Sequence, residues 1–118
     1  MSYEIKQDGK FKFIEEGEGE PLLLLHGLFG ALSNFQFLIE HFRKTNKVIV
    51  PLLPLLELDL LHTSVGGLQK FVYRFIEHRN YNNINLLGNS LGGHVALVHI
   101  LKNPERIKSL ILTGSSGL

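Results

Sequence analysis

Near the start of the chain, apolar and polar side chains alternate: Tyr3 and Ile5, then Phe11 and Phe13, stand between charged or polar neighbours. Period-two alternation predicts half-buried strands over Tyr3–Gln7 and Phe11–Glu16, and the intervening Asp8-Gly9 predicts a hairpin turn. The acidic stretch Glu15-Glu16-Gly17-Glu18-Gly19-Glu20 reads as a solvated turn. It leads into Pro21-Leu22-Leu23-Leu24-Leu25, an unbroken apolar run of the kind found in strands buried on both faces. From there the period lengthens. Phe35, Leu38, Ile39 and Phe42 fall on one face of a helix that Ser33 or Asn34 would cap and that ends near Lys44-Thr45-Asn46. Lys47-Val48-Ile49-Val50 is a further strand, closed by Pro51. A second helix, capped by Thr63 or Ser64, carries Leu68, Val72, Phe75 and Ile76 as its apolar stripe. Asn83–Leu87 is then a strand, Gly93–Leu101 a helix-length apolar segment, and Ile107–Thr113 a sixth strand.

Strands and helices that alternate after an opening hairpin predict an α/β fold, with a mostly parallel sheet covered by helices on both faces. At 118 residues and 13.3 kDa, one domain is expected. Between Val50 and the second helix lies a loop dense in leucine: Leu52, Leu53, Leu55, Leu56, Leu58, Leu60 and Leu61. Such a loop lines an apolar pocket, meets a further domain, or forms plain core. No internal repeat or low-complexity tract is present.

Charge narrows the class. A net charge of +1 and a pI of about 8.1, with Lys and Arg scattered, give no basic face for nucleic acid. The absence of cysteine excludes a disulfide framework and thiolate chemistry. Residues 1–8 hold no apolar run of signal-peptide type, and the most apolar stretch, Val48–Leu61, is interrupted by Pro51, Pro54, Glu57 and Asp59. A cytoplasmic protein without a membrane span is the expectation. No ligand cluster suggests a metal and no lysine follows a glycine-rich phosphate loop, so no cofactor is expected.

Gly88-Asn89-Ser90-Leu91-Gly92 lies between the strand ending at Leu87 and the helix beginning near Gly93. Strand, G-x-S-x-G, helix is the context of a nucleophile elbow, in which a serine sits at the tip of a sharp turn with its hydroxyl above the sheet edge. A second motif, His26-Gly27-Leu28-Phe29-Gly30, follows the buried strand Leu22–Leu25. A glycine-bearing loop there can aim a backbone N–H at a developing oxyanion. If these two strands are neighbours, both loops open at the same switch point of the sheet.

On Leu22–Gly30 together with Gly88–Gly93 the chain resembles the α/β-hydrolase superfamily, in register from about Gly17 to Leu118. The resemblance implies six strands in the order 1-2-4-3-5-6, the first pair antiparallel and the rest parallel. It implies a serine hydrolase of the carboxylesterase, lipase or thioesterase kind, with Ser90 attacking a small acyl substrate to give an acyl-enzyme. The backbone N–H groups of Leu91 and of Leu28 (or Phe29) would hold the oxyanion, with His26, Gly27, Gly88 and Gly92 as supporting motif. A serine at the elbow argues against the superfamily's dehalogenases and epoxide hydrolases, which use aspartate there.

The family's acid and histidine follow later strands, which residues 1–118 do not reach, so the chain reads as the N-terminal part of a single hydrolase domain. Late strands, cap and remaining triad members are then expected beyond Leu118. His26 is the histidine of an H-G loop, which in the family more often holds that loop by hydrogen bonding than acts as base. His94 and His99 read as structural, and His41 and His78 as helix-end cations. Within the chain, His62 with Asp59 in the leucine-rich loop is a conceivable base and acid for Ser90. The alternative is a catalytically incomplete chain that folds and self-associates, pairing copies through the exposed sixth strand at Ser109–Thr113.

Overall fold

The computed structural model describes residues 3–27, 35–54 and 64–114. They form one six-stranded sheet: β1 (Lys6–Asp8), β2 (Phe11–Glu16), β3 (Glu20–Leu25), β4 (Asn46–Pro51), β5 (Ile84–Asn89) and β6 (Ile107–Thr113). Among the described residues three helices accompany it, α1 (Gln36–Phe42), α2 (Val65–Arg79) and α3 (Leu91–Lys102). The strand order is β1-β2-β4-β3-β5-β6, as the resemblance implies. Chain directions differ from the expectation at one ladder. The pair β1–β2 is antiparallel, but so is β2–β4, where Phe13 to Glu16 run against Pro51 to Val48. The cause is the hairpin: β2 returns along β1 and meets β4 without a crossover, so only β4–β3–β5–β6 is parallel.

The leucine run explains the layers. Leu23 and Leu25 face one side and Leu22 and Leu24 the other, and all four are buried. On the first side α2 and α3 pack Leu68, Val72, Phe75, Ile76, Val95 and Ala96 against Phe11, Phe13, Ile49 and Leu86. On the second, α1 sets Phe35 and Ile39 on Ile14, Val48, Val50 and Leu87. Beyond α1 this second face opens into a cavity of about 450 Å³, lined by Leu22, Leu38, Phe42, Leu87 and Ile111 with Asn46 and Asn85.

Local signals set the helix ends. Ser64 accepts the N–H of Gly67 at 3.0 Å and so caps α2, and Asn80 closes that helix in the left-handed conformation (φ 59°). Helix α1 stops at Phe42, the last residue of its apolar stripe and a little short of the expected end near Lys44-Thr45-Asn46, because Asn46 is already paired with Glu20 at the start of β4. Ser33 and Asn34 lie outside the described residues. The far end of α2 is tied to the hairpin. Arg79 donates to Asp8 Oδ2 at 2.8 Å and to the Tyr81 hydroxyl at 3.1 Å, while His78 Nε2 lies 2.9 Å from Asp8 Oδ1. The Arg79 guanidinium also rests over the Phe13 ring, 4.7 Å from its centroid. No helix among the described residues is long and apolar enough to cross a membrane.

Candidate active site

The parallel ladder β3–β5 pairs Leu25 with Gly88, so the segments leaving these two strands start side by side. At this point the strand order reverses: β4 lies on one side of β3, and β5 with β6 on the other. The two glycine motifs therefore meet in space.

Ser90 stands between β5 and α3 with φ 57° and ψ −123°, outside the regions a side-chain-bearing residue ordinarily occupies. It is exposed, and its hydroxyl makes no capping bond to the helix it precedes. Its backbone is held on both sides. The Ser90 N–H donates to the carbonyl of Thr113 at 3.1 Å, and its own carbonyl accepts from Gly93 (3.0 Å) and His94 (3.3 Å). Asn89 and Thr113 are partners at the last rung of β5–β6, and the Thr113 hydroxyl donates to Asn89 Oδ1 at 3.1 Å.

Glycine is required here by close approach. A Cβ on Gly92 would overlap the carbonyl of Leu25, and one on Gly88 would overlap the backbone of Gly92 and Gly93. Helix α3 thus sits against the end of β3 with no room for a methyl group. Gly27 has a different neighbour. A Cβ there would stand 3.2 Å from Ser90 Cβ, 3.3 Å from Ser90 Oγ and 3.5 Å from the Leu91 nitrogen. The space left by Gly27 is therefore bounded by a hydroxyl and by the N–H of the first residue of a helix. That N–H is one of the orphan donors of a helix start, at the positive end of the dipole.

His26 is buried, with Nδ1 3.0 Å from the Gly27 carbonyl and Nε2 accepting the N–H of Leu53 at 3.1 Å. Burial holds its imidazole below the usual histidine range, with the bond to Gly27 opposing. A neutral ring with Nδ1–H donating and Nε2 accepting satisfies both partners. His26 therefore pins the segment leaving β3 to the one leaving β4, and its acceptor nitrogen is engaged by Leu53.

His99, on α3, is buried with Nδ1 3.0 Å from Gln69 Nε2, and Gln69 also donates to Asn103 Oδ1 at 3.0 Å. Burial lowers its proton affinity, with Glu105 opposing. No hydrogen bond joins a histidine to the Ser90 hydroxyl among the described residues. Leu28, Asp59 and His62, the remaining residues singled out from the sequence, lie outside the described residues. Among the described residues no three His, Asp or Glu side chains converge as metal ligands would.

Two contacts at this rim escape sequence reasoning. The Thr113–Asn89 bond and the Leu53–His26 bond join residues whose proximity follows only from strand register.

Comparison with known proteins agrees with this geometry. The family described as alpha/beta hydrolase fold matches residues 61–117. MGS-MChE2, an alpha/beta hydrolase enzyme from the metagenome of sediments from the lagoon of Mar Chica, Morocco, is 49% identical with a TM-score of 0.91. That match covers 98% of this chain and 53% of the other. Lipase 1 of Psychrobacter immobilis is 30% identical over 115 residues, covering 92% of this chain and 36% of the lipase. Ethanol acetyltransferase 1 of Wickerhamomyces ciferrii is 27% identical over 103 residues, covering 84% of this chain and 26% of the transferase. The chain thus spans about half, or less, of the length of these relatives. With the sheet order and the close approach of Gly27 to Ser90, these matches show that the chain carries part of the α/β-hydrolase fold.

Proposed function

We propose that this chain supplies the nucleophile and oxyanion-binding part of a serine hydrolase acting on a small acyl ester. The observation that carries the reading is the juxtaposition at the switch point. An exposed, strained serine, its hydroxyl without a hydrogen-bond partner among the described residues, stands beside Gly27 and a helix-start N–H. Ser90 Oγ and the Leu91 nitrogen flank one point beside Gly27, at 3.3 and 3.5 Å, so an acyl carbonyl brought over this rim would meet both.

Attack by Oγ forms a C–O bond, and the carbonyl electron pair moves onto oxygen. The N–H groups of Leu91 and Leu28 stabilise that charge, each donor contributing about 2.7–4 kcal/mol in sites of this kind. Collapse expels the leaving alcohol or thiol with the proton taken from Ser90, and water or an acceptor alcohol then takes the acyl group. The relatives named as a lipase and as an acetyltransferase fit those two fates. The reading assigns the acid and histidine to the part of such a protein that residues 1–118 do not include.

The test is intact mass after treatment of the 118-residue chain with a fluorophosphonate, with Ser90→Ala beside it. An adduct absent from Ser90→Ala shows a serine armed within this chain, and makes His62 with Asp59 the next residues to vary. An unlabelled chain that labels at Ser90 once extended by the remainder of a related hydrolase supports the assignment of the base elsewhere. If the extended protein labels equally in Ser90→Ala, the reading fails.

A second reading has its own observation. Strand β6 ends the sheet, and its outer edge has no partner strand among the described residues. On this reading the 118 residues fold and self-associate without significant activity. Removing triad members leaves only about 10³–10⁴ over water in enzymes of this type.

A further inference from the structure

We infer that Thr113 is a positioning residue for Ser90: its carbonyl takes the Ser90 N–H and its hydroxyl takes hold of Asn89, so the end of β6 holds the strained serine from its N-terminal side. As far as reactivity is concerned, the inference rests on the reading of Ser90 as nucleophile.

A residue with a side chain at φ 57° and ψ −123° keeps that conformation only where its surroundings over-determine it. Downstream of Ser90 the determinants are regular helix contacts, the N–H groups of Gly93 and His94 on its carbonyl. Upstream they are the last rung of a parallel ladder, Asn89 against Thr113, and the single backbone bond from Ser90 to Thr113 at 3.1 Å. Thr113 is exposed and the chain leaves the sheet directly after it, at Gly114 with φ 52°. Strand ends of this kind fray. A frayed rung would release the Asn89–Ser90 peptide and let the serine turn away from the space beside Gly27.

The side-chain bond from Thr113 Oγ1 to Asn89 Oδ1, 3.1 Å, closes that rung a second time. A β-branched residue suits the strand whether or not it carries a hydroxyl, so valine would serve the sheet equally well. Among the described residues the hydroxyl's hydrogen-bond partner is Asn89. A Cβ added at Gly114 would come within 3.4 Å of the Asn89 amide oxygen, so that oxygen lies close to the point where the chain leaves the sheet.

Three proteins separate this role from simple stability: the wild type, Thr113→Val and Thr113→Ser. Hydrogen exchange at the Ser90 amide is read by NMR together with the rate of fluorophosphonate labelling. Loss of one such bond corresponds to at most about a tenfold change. In Thr113→Val, Ser90 amide exchange should rise by up to about tenfold and labelling slow by a comparable factor. Exchange at Leu86 in the middle of β5 should stay as in the wild type, and Thr113→Ser should restore both readouts. Unchanged Ser90 exchange in Thr113→Val overturns the inference. So does a loss of protection spread evenly along β5, which marks a merely structural role. Where the 118-residue wild type does not label, the labelling rate is read in the protein extended by the remainder of a related hydrolase. If that protein does not label at Ser90, the nucleophile reading has failed, and Ser90 exchange still decides the positioning role.

Discussion

The Nε2 atom of His26 accepts the backbone N–H of Leu53 at 3.1 Å, joining the two segments that leave neighbouring strands β3 and β4. The bond needs a neutral ring, and burial favours the neutral form. Folding therefore competes with protonation at His26, and at the buried His99 for the same reason.

The sign of the pH dependence follows. Both groups have their proton affinity lowered on folding from the ordinary value of 6.5, so the unfolded chain takes up protons that the folded one refuses. Stability is complete above that pH and declines as pH falls below it. Asp8, held low by hydrogen bonds from His78 and Arg79, and Glu20, held low by Lys108 and Asn85, add their losses only below about 4.5. Thermal unfolding followed between about pH 8 and pH 5 should show the melting temperature falling through the histidine window. The double variant His26→Gln with His99→Gln should flatten that fall, and a flat wild-type profile would refute the account.

Two glycine substitutions should part company. Gly92→Ala forces a methyl group into the Leu25 carbonyl and should cost about 1–3 kcal/mol or more in urea unfolding. At Gly27 the nearest atoms to an added Cβ belong to the Ser90 side chain, at 3.2 and 3.3 Å. Gly27→Ala should keep most of the stability while placing its methyl group where a carbonyl would dock. In a protein that labels at Ser90, it should abolish labelling. Equal labelling of Gly27→Ala and wild type would show that the gap is not where the reagent sits.

The buried Gln69 reaches both His99 Nδ1 and Asn103 Oδ1 from one nitrogen, Nε2. Gln69→Leu fills the same space and leaves both acceptors without that donor, at a cost of about 1–3 kcal/mol. Equilibrium denaturation measures it directly. A loss of only a few tenths would mean that water replaces the amide.

Among the described residues strand β6 has no partner on its outer edge. Its one lysine, Lys108, is drawn across to Glu20 at 2.9 and 3.0 Å, so it does not blunt the edge as a free lysine would. Ile111 is 43% exposed beside the apolar cavity. Light scattering should show an average mass that rises with concentration for the 118-residue chain, and Ile111→Lys should lower it toward the monomer. A monomer mass independent of concentration would rule out this pairing.

Periodicity made the six strands and three helices legible in the chain, because each element buries an apolar face whose spacing matches its geometry. The direction of β2 relative to β4 was not legible, since a hairpin can be laid along a parallel sheet with either strand inward. Gln69 shows a second limit. A polar residue one position from Leu68 reads as solvent-facing, and only the packing of α2 on α3 brings His99 and Asn103 to it. The strained turn at Ser90 and the close approaches at Gly88, Gly92 and Gly27 were legible because they are tied to a local motif. Thr113 could not, because its partnership with Asn89 exists only in the β5–β6 register. For Leu28, Asp59 and His62 the comparison is not available, as they lie outside the described residues.

The pairing of Leu25 with Gly88 also orders events in time. The two residues are far apart in the chain, and contacts of that kind form late because a long loop must close first. The turn at Ser90 is stable only when β3, β5, β6 and the start of α3 are all in place. The strained turn at Ser90 is thus withheld from a nascent or partly unfolded chain, and the same residue should be the first to lose its geometry when the central ladder opens.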